Sequence, residues 1–404
     1  MRILLINTLY PPLTVGGAER SVQELAIALT ERGHVVGVLS QLPSSSTIAR
    51  SDTVAGVRVE RWTPHHVWQF GDEWATLNSI QKLKWHFRDD LSANASNWVS
   101  DKILRFRPDI INSHNIAGFG TAVWRASEGI PLVHTLRDYY LLCTRTTLYR
   151  TDRRCEGRCL DCSFLTQRRI RNSRRPDIFI GVSQHILDIH RRFGVLKSDS
   201  RSAVVYNQPD IGSPSRIDRS QESVTAGSHT FGFIGRIEPA KGINVIIDAF
   251  RRVANSNARL IVSGSGRPDQ VEWINRQIEI DDRISYTGQI AADEFYNRVQ
   301  CVVVPTQWDE PFGRVAWESV QYEKRIIASR VGGIPEAIGR YAKVGYVTNF
   351  RDPLEWKSAM EREIANRQKD ISSVTTANRS SSIRYVSPGD AYEKIFEQLI
   401  GEFS

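Results

Sequence analysis

Apolar residues along this chain come in short unbroken runs that alternate with stretches of helical spacing. Arg2–Ile6 is the first run. Tyr10-Pro-Pro-Leu-Thr-Val-Gly-Gly17 cannot extend it; Val22, Leu25, Ala26 and Leu29 then recur at helical spacing until Gly33 ends the helix. Val35–Leu39 opens the next strand. Asp109–Ser113, Ile130–Thr135 and Ile178–Val182 follow, the last leading into a helix from about Gln184 to Arg192. Runs apolar at successive positions suit strands buried on both faces of a parallel sheet. Their alternation with helices predicts an α/β fold.

Between Asn207 and His229 the pattern lapses into turn formers with few apolar residues, as expected of a linker between domains. A second alternating series then begins. Thr230–Gly235 reads as a strand, and Ile243, Ile246, Ile247, Phe250 and Val253 form one helical stripe. Leu260–Ser263, Ile284–Thr287, Cys301–Pro305 and Arg325–Ser329 are further strands, and Tyr392–Ile400 is a last helix after Pro388-Gly389. The chain is therefore expected to hold two Rossmann-like, doubly wound parallel-sheet domains, 1–206 and 207–385. Side by side, such domains would face each other across a cleft, with the chemistry in loops that follow strands.

Composition narrows the class. The chain has 404 residues, 41% hydrophobic and 24% charged, a globular balance. Its apolar runs fall short of the ~18 residues that cross a bilayer, and the first is too short for a signal-peptide core. Five cysteines do not make a secreted disulfide scaffold. The expected location is the cytoplasm. The net charge of +8 resembles a nucleic-acid signal until it is located: between Arg137 and Arg175 eleven arginines face four acids. That stretch could meet substrate phosphates, an anionic membrane or nucleic acid, or be a solvated basic loop.

Three places carry candidate chemistry. In Glu310-Pro-Phe-Gly-Arg-Val-Ala-Trp-Glu318, Phe312, Val315, Ala316 and Val320 would mark a buried helix face spanning about 140°. Glu310 would stand at the helix mouth and Glu318 two turns on, outside that face. The amides of Phe312, Gly313 and Arg314 would offer a positive dipole to an anion. In Phe231-Gly-Phe-Ile-Gly235-Arg236-Ile-Glu-Pro-Ala-Lys241-Gly242, two cations at a strand end could hold a leaving diphosphate without a metal. Gly16-Gly17, after the first strand, would let backbone amides approach a phosphate or sugar.

With Val331-Gly-Gly-Ile-Pro-Glu336, Tyr206-Asn207 and Asp177-Ile-Phe-Ile-Gly-Val-Ser183-Gln, these motifs stand in one order over nearly the whole chain. In that order the sequence resembles the retaining glycosyltransferases of the GT-B fold, family 4, the glycosyl transferases of group 1. The resemblance implies transfer of a hexosyl or acetylhexosaminyl unit from a nucleotide-diphosphate sugar to an acceptor hydroxyl. It implies roles for Arg236 and Lys241 on the diphosphate, Glu318 on the ribose and Glu310 on the donor sugar. Amides of Gly313, Arg314 and Val315 would meet the phosphates, with Gly17 close by. It also implies that the last helix, with 386–404, returns to the first domain. The expected setting is cell-surface polysaccharide, lipopolysaccharide or glycolipid assembly, with a carbohydrate or lipid-linked acceptor. UDP is the first choice of donor base, with GDP or ADP as alternatives. No cofactor or metal is expected to be required, in keeping with a chain that lacks Asp-x-Asp.

One departure stands out: where the family often reads Thr-Leu-His-Asp, this chain reads Thr135-Leu-Arg137-Asp138. Arginine cannot act as an acid or base near neutral pH. Arg137 could clamp an anionic group of donor or acceptor, or be structural, paired with Asp138 or another acid. His114 follows a strand and could face the acceptor side, or be a satisfied core residue.

Cys143, Cys155, Cys159 and Cys162 lie within the basic stretch and could bind a structural zinc, though the first gap is irregular. Leu83, Phe87 and Leu91 repeat beside Lys82, Lys84 and Arg88, in a region holding Trp62, Trp68, Trp74, Trp85 and Trp98. That mixture suits either a helix resting on an anionic membrane face or a core helix with a basic rim. Two other functions stay open: a nucleotide-sugar epimerase or hydrolase on the same fold, and a basic nucleic-acid-binding protein. The second leaves Glu310, Glu318 and the paired glycines idle, so no nucleic-acid partner is expected.

Overall fold

The computed structural model describes residues 1–14, 16–43, 45–64, 76–150, 153–208, 229–341, 343–372 and 387–403. Trp68, Trp74 and most of the expected linker lie outside them. The chain divides into two compact units. One comprises Met1–Leu148, Cys155–Pro209 and Val386–Ser404, and the other Tyr149–Arg154 and Asp210–Tyr385.

The first unit is built on an eight-stranded sheet. Its strands are β1 (Arg2–Ile6), β2 (Val35–Gln41), β3 (Ser51–Val54), β4 (Val57–Trp62), β5 (Ile110–Ser113), β6 (Leu132–Leu136), β9 (Ile178–Gly181) and β10 (Ser202–Val204). The numbers β7 and β8 belong to Tyr149–Arg150 and Arg153–Arg154, a two-stranded antiparallel pair. The order is β10-β9-β6-β5-β1-β2-β4-β3, parallel throughout except for β3 on β4. The sequence pattern did not show that edge hairpin. β3 is Ser-Asp-Thr-Val and alternates exposed with half-buried positions, so it has no apolar run to recognise.

On one face of this sheet the helix Gly17–Glu31 buries Val22, Leu25, Ala26 and Leu29, the stripe read from the sequence. The same core takes Tyr392, Phe396 and Leu399 from the last helix, Pro388–Phe403. That helix is longer than expected: Pro388 and Gly389 lie inside its first turn, where a proline loses no hydrogen bond. Arg32 pairs with Asp390 at 2.6 Å and His34 with Glu393 at 2.8 Å, and Tyr392 donates to Thr135 Oγ1 at 3.2 Å.

The described tryptophans of the region 62–98, Trp62, Trp85 and Trp98, pack inward rather than forming an interfacial belt. Trp62 and Trp85 are buried, and Trp98 and Trp62 each stack on Phe119. The leucine and phenylalanine stripe beside them behaves in the opposite way: Leu83, Phe87 and Leu91 face water.

The second unit carries a six-stranded, wholly parallel sheet. Its strands are β11 (His229–Ile234), β12 (Ala258–Ser263), β13 (Ile284–Tyr286), β14 (Cys301–Val304), β15 (Arg325–Ser329) and β16 (Val344–Val347). The order β13-β12-β11-β14-β15-β16 reverses between β11 and β14, the arrangement of a doubly wound nucleotide-binding sheet. Both units therefore have the α/β, doubly wound class read from the sequence.

Two consequences are measurable. Phe396 is fully buried, so Phe396→Ala should lower the unfolding free energy by about 3–5 kcal/mol in denaturant titration. His229 is buried beside the Phe231 ring, and burial pushes its imidazole down from 6.5 to about 4. The folded state thus holds His229 neutral where the unfolded chain takes up a proton. Its stabilising contribution is complete above pH 6.5 and drains away toward pH 4, at about 1.4 kcal/mol per pH unit. His229→Leu should flatten that part of the stability–pH curve.

Candidate functional site

In the second unit the site follows from the sheet order. Where two neighbouring parallel strands send their chains to opposite faces, the loops at their carboxyl ends separate and leave room for a ligand. Here those strands are β11 and β14. The loop after β11 runs through Gly235 and Arg236 into a turn at Pro239–Lys241, then the helix Ile243–Arg251. The loop after β14 runs from Pro305 to Gly313 before the helix Arg314–Gln321.

Backbone contacts stitch the two loops together. The Gln307 amide donates to the Ala240 carbonyl at 2.8 Å, and the Thr306 hydroxyl oxygen lies 3.3 Å from the same oxygen. Gly242, at φ 77°, packs so closely that a Cβ there would collide with the Pro305 carbonyl. The result is a short ion pair: Lys241 Nζ lies 2.5 Å from Glu310 Oε1, both side chains largely shielded from water. The Thr306 hydroxyl donates to Glu310 Oε2 at 3.1 Å, and Lys241 sits 5.2 Å from the Trp308 ring centre. Gly235, Lys241, Thr306, Glu310, Gly313 and Val315 line a small cavity of about 50 Å³ there.

Val331-Gly-Gly-Ile-Pro-Glu336 has a structural reason in this site. The Gly333 amide donates to the Glu310 carbonyl at 2.7 Å. Gly332 has φ 57°, and a Cβ there would strike the Glu310 backbone. The paired glycines let one loop press against the other and fix where Glu310 stands.

Several expected residues sit differently. The helix begins at Arg314, so Glu318 lies one turn in rather than two. Its carboxylate accepts from Arg314 at 3.3 Å and from the Tyr296 hydroxyl at 3.3 Å. The buried face is Ala316, Trp317, Ser319 and Val320; Val315 is only half-buried and turns to the cavity. Phe312 is buried. Arg236 is exposed, paired with Glu238 at 2.9 Å, and stands outside the cavity that holds Lys241 and Glu310.

The first unit repeats the topology, its order reversing between β1 and β5. Gly16-Gly17 follows β1 and His114 follows β5, at the same relative place. Gly16 caps the helix in an extended conformation that any residue could adopt, and its amide already donates to Glu19 Oε2 at 2.9 Å. That amide is therefore taken, contrary to the expectation of a side-chain-free turn presenting it to a ligand. His114 is buried and neutral, held well below its usual pKa by burial and by Arg137. Arg137 Nε donates to His114 Nδ1 at 3.1 Å and Nη1 to Asn207 Oδ1 at 2.6 Å. These two contacts help fix Arg137, and among the described residues His114 Nε2 is left buried with no hydrogen-bond partner. His134, just upstream, belongs to the core: Ser113 Oγ lies 2.9 Å from its Nδ1, and burial lowers its pKa to about 3.

The four cysteines of the basic stretch are not assembled as an ion site. Cys143 hydrogen-bonds with Cys162, which lowers the Cys143 pKa to about 7. Among the described residues no group of three or more His, Cys, Asp or Glu could hold a metal ion.

Residues 15–211 match Glycosyltransferase Family 4 and residues 215–378 match Glycosyl transferases group 1. A Klebsiella pneumoniae relative, an uncharacterized 42.6 kDa protein in cps region, is 30% identical, covering 87% of this chain and 91% of its own length. Sucrose-phosphate synthase from Thermosynechococcus elongatus superposes with a TM-score of 0.72 at 16% identity, covering 99% of each chain. Anabaena HepE, solved in complex with UDP and glucose, superposes with a TM-score of 0.65 at 20% identity, over 98% of this chain and 99% of its own. The chain belongs to the glycosyl transferases of group 1, family 4, and its fold is GT-B.

The role of the glycine pair can be checked on the fold alone. Gly332→Ala should cost about 1–3 kcal/mol of stability, because the strained φ and the collision with Glu310 act together. Gly345, with no comparable neighbour, is the control, and Gly345→Ala should unfold close to the wild-type midpoint.

Proposed function

We propose that this glycosyltransferase moves a sugar, with retention, from a nucleoside-diphosphate sugar to the hydroxyl of a carbohydrate or lipid-linked acceptor, without a metal. The observation that carries the reading is the Lys241–Glu310 pair at the switch point of the second sheet. A leaving diphosphate needs positive charge held ready in a shielded place. Lys241 offers it, already oriented by Glu310 and the Trp308 ring. The first-turn amides of the helix Arg314–Gln321 lie beside the cavity and add the positive end of a dipole.

Diphosphate and Glu310 would compete for Lys241, so donor binding would loosen the pair and turn the Glu310 carboxylate toward the sugar. The departing diphosphate oxygen would accept the acceptor's proton as the new glycosidic bond forms on the same face. Arg236 would swing onto the diphosphate from its exposed pairing with Glu238, and Glu318 would accept from the ribose hydroxyls. The proposed domains are 1–206 with 386–404, and 207–385. UDP is the proposed donor base, supported by the UDP complex of HepE. The relative named from a cps region supports a role in polysaccharide assembly. No helix among the described residues is long and apolar enough to cross a membrane. The proposed location is the cytoplasm and the inner membrane face.

A thermal-shift panel of UDP, GDP, ADP, dTDP and CMP, with and without magnesium, tests the donor side. One diphosphate, at a hundred times its dissociation constant, should add about 2.7 kcal/mol with or without magnesium. Lys241→Ala should lose that response and lower turnover by orders of magnitude while keeping the fold. Near wild-type transfer by this variant would overturn the assignment.

A further inference from the structure

Two helices of the first unit leave apolar ridges uncovered. Ser79–Asp90 carries Ile80, Leu83 and Phe87 on one side, and Leu91 follows at its carboxyl end. Ile80 is 64% exposed and the other three between 40% and 49%. On Leu160–Leu165, Leu160 and Phe164 lie one turn apart, 88% and 67% exposed. The rings of Phe87 and Phe164 meet edge to face with centres 6.0 Å apart, so the two ridges form one patch. These six side chains project from the surface.

What holds the helices in this attitude lies on their inner side. Arg169, fully buried, donates from Nε to Asp90 at 2.8 Å, stands 3.5 Å from Asp89 and lies over the Tyr140 ring at 3.9 Å. Tyr140 donates its hydroxyl to Asp89 at 2.5 Å. A buried ion pair adds little net stability, but with one partner misplaced it leaves a naked charge, so it specifies orientation. Here it ties the first ridge's helix to Gln167–Asn172, the helix that follows Leu160–Leu165.

The same cluster sorts the charge. The acids of the first helix, Asp89 and Asp90, are turned inward onto Arg169. Its exposed cations, Lys84 and Arg88, lie beside the apolar ridge. Arg168 and Arg171 are exposed on the helix Gln167–Asn172 that follows Leu160–Leu165. Among the described residues none of these four cations forms a salt bridge, though the charge of Arg168 reaches the buried Asp90. Asp161 is the exposed acid on these helices.

We propose that this patch seats the protein on an anionic lipid bilayer. Ile80, Leu83, Phe87, Leu91, Leu160 and Phe164 enter the boundary between headgroups and acyl chains, and the cations meet lipid phosphates. Projecting apolar side chains need a surface that yields around them, which a fluid bilayer does and a folded partner does only through a matching groove. A rim of one sign matches a negatively charged leaflet. The proposal deepens the reading of the protein as a transferase with a lipid-linked acceptor, and rests on that reading for its purpose.

The test is co-sedimentation of the full chain with vesicles of phosphatidylcholine alone or with about one-third phosphatidylglycerol, a mixture that carries the negative surface charge invoked here. The wild type should bind the anionic vesicles at least about tenfold better, and rising salt should weaken that preference. The triple variant Leu83→Ser, Phe87→Ser, Phe164→Ser should lose about tenfold or more in binding with its thermal midpoint unchanged, because all three side chains are exposed. Lys84→Glu with Arg88→Glu should abolish the preference for anionic lipid. Equal binding to both vesicles, or unaltered binding by both variants, overturns the proposal. So does a wild-type dimer that the triple variant turns into a monomer, since the patch would then be a self-association face. Transfer to a water-soluble acceptor is read separately. If it persists without vesicle binding, docking fails and the transferase reading stands; vesicle binding without transfer has the converse meaning.

Discussion

Parallel pairing is the constraint from which the rest follows. Two parallel neighbours cannot be joined by a tight turn, so each connection must leave one end of the sheet and return to the other. Every such strand then delivers its chain at the same edge, where a helix usually begins. Reversing the order of strands at one point parts two of those loops. In the second unit the parted loops bring Lys241 and Glu310 together across 69 residues of sequence. In the first unit the corresponding place holds the paired glycines and His114. Neither site needs a dedicated element, because each uses what the sheet leaves open.

Electrostatics at the two places differ. Lys241 and Glu310 compensate each other, so the second unit keeps a charge in a shielded spot without a large desolvation penalty. In the first unit Arg137 is held by an imidazole nitrogen and an amide oxygen, both neutral. Arginine does not titrate near neutral pH, so this side chain supplies no general acid or base there.

Most of the sheet was legible in the sequence, for a physical reason. Strands buried on both faces must be apolar nearly throughout, and β1, β14 and β15 read that way. β3, a polar edge, lacks that signature. The site was legible as a set of loops and not as an arrangement. Spacing could suggest that Glu310, Lys241 and the Val331-Gly-Gly run were related, but not that Gly333 donates to the Glu310 carbonyl. Nor could it say that Gly16 spends its amide on Glu19. Arg169 is the sharpest case: it looks like one of many cations in a basic stretch, yet it is buried, its partner Asp90 lying 79 residues upstream. Local pattern carries no trace of such a pairing. Thr306, Trp308 and Tyr296, which support the charged groups, escaped notice because hydroxyls and indoles in loops have no distinctive spacing.

The last helix gives this chain an unusual schedule of birth. Its residues complete the core of the first unit, and Asp390 meets Arg32 across 358 positions. At the ~5–20 residues per second of ribosomal synthesis, the first sheet, complete once β10 has been made, waits about 10 to 40 s for that closing piece. Through that interval the face destined for Tyr392, Phe396 and Leu399 is open, while the second unit can already be finished. The unit that begins first at the ribosome is therefore the one that matures last, and a chaperone acting on the nascent chain would find its binding surface there.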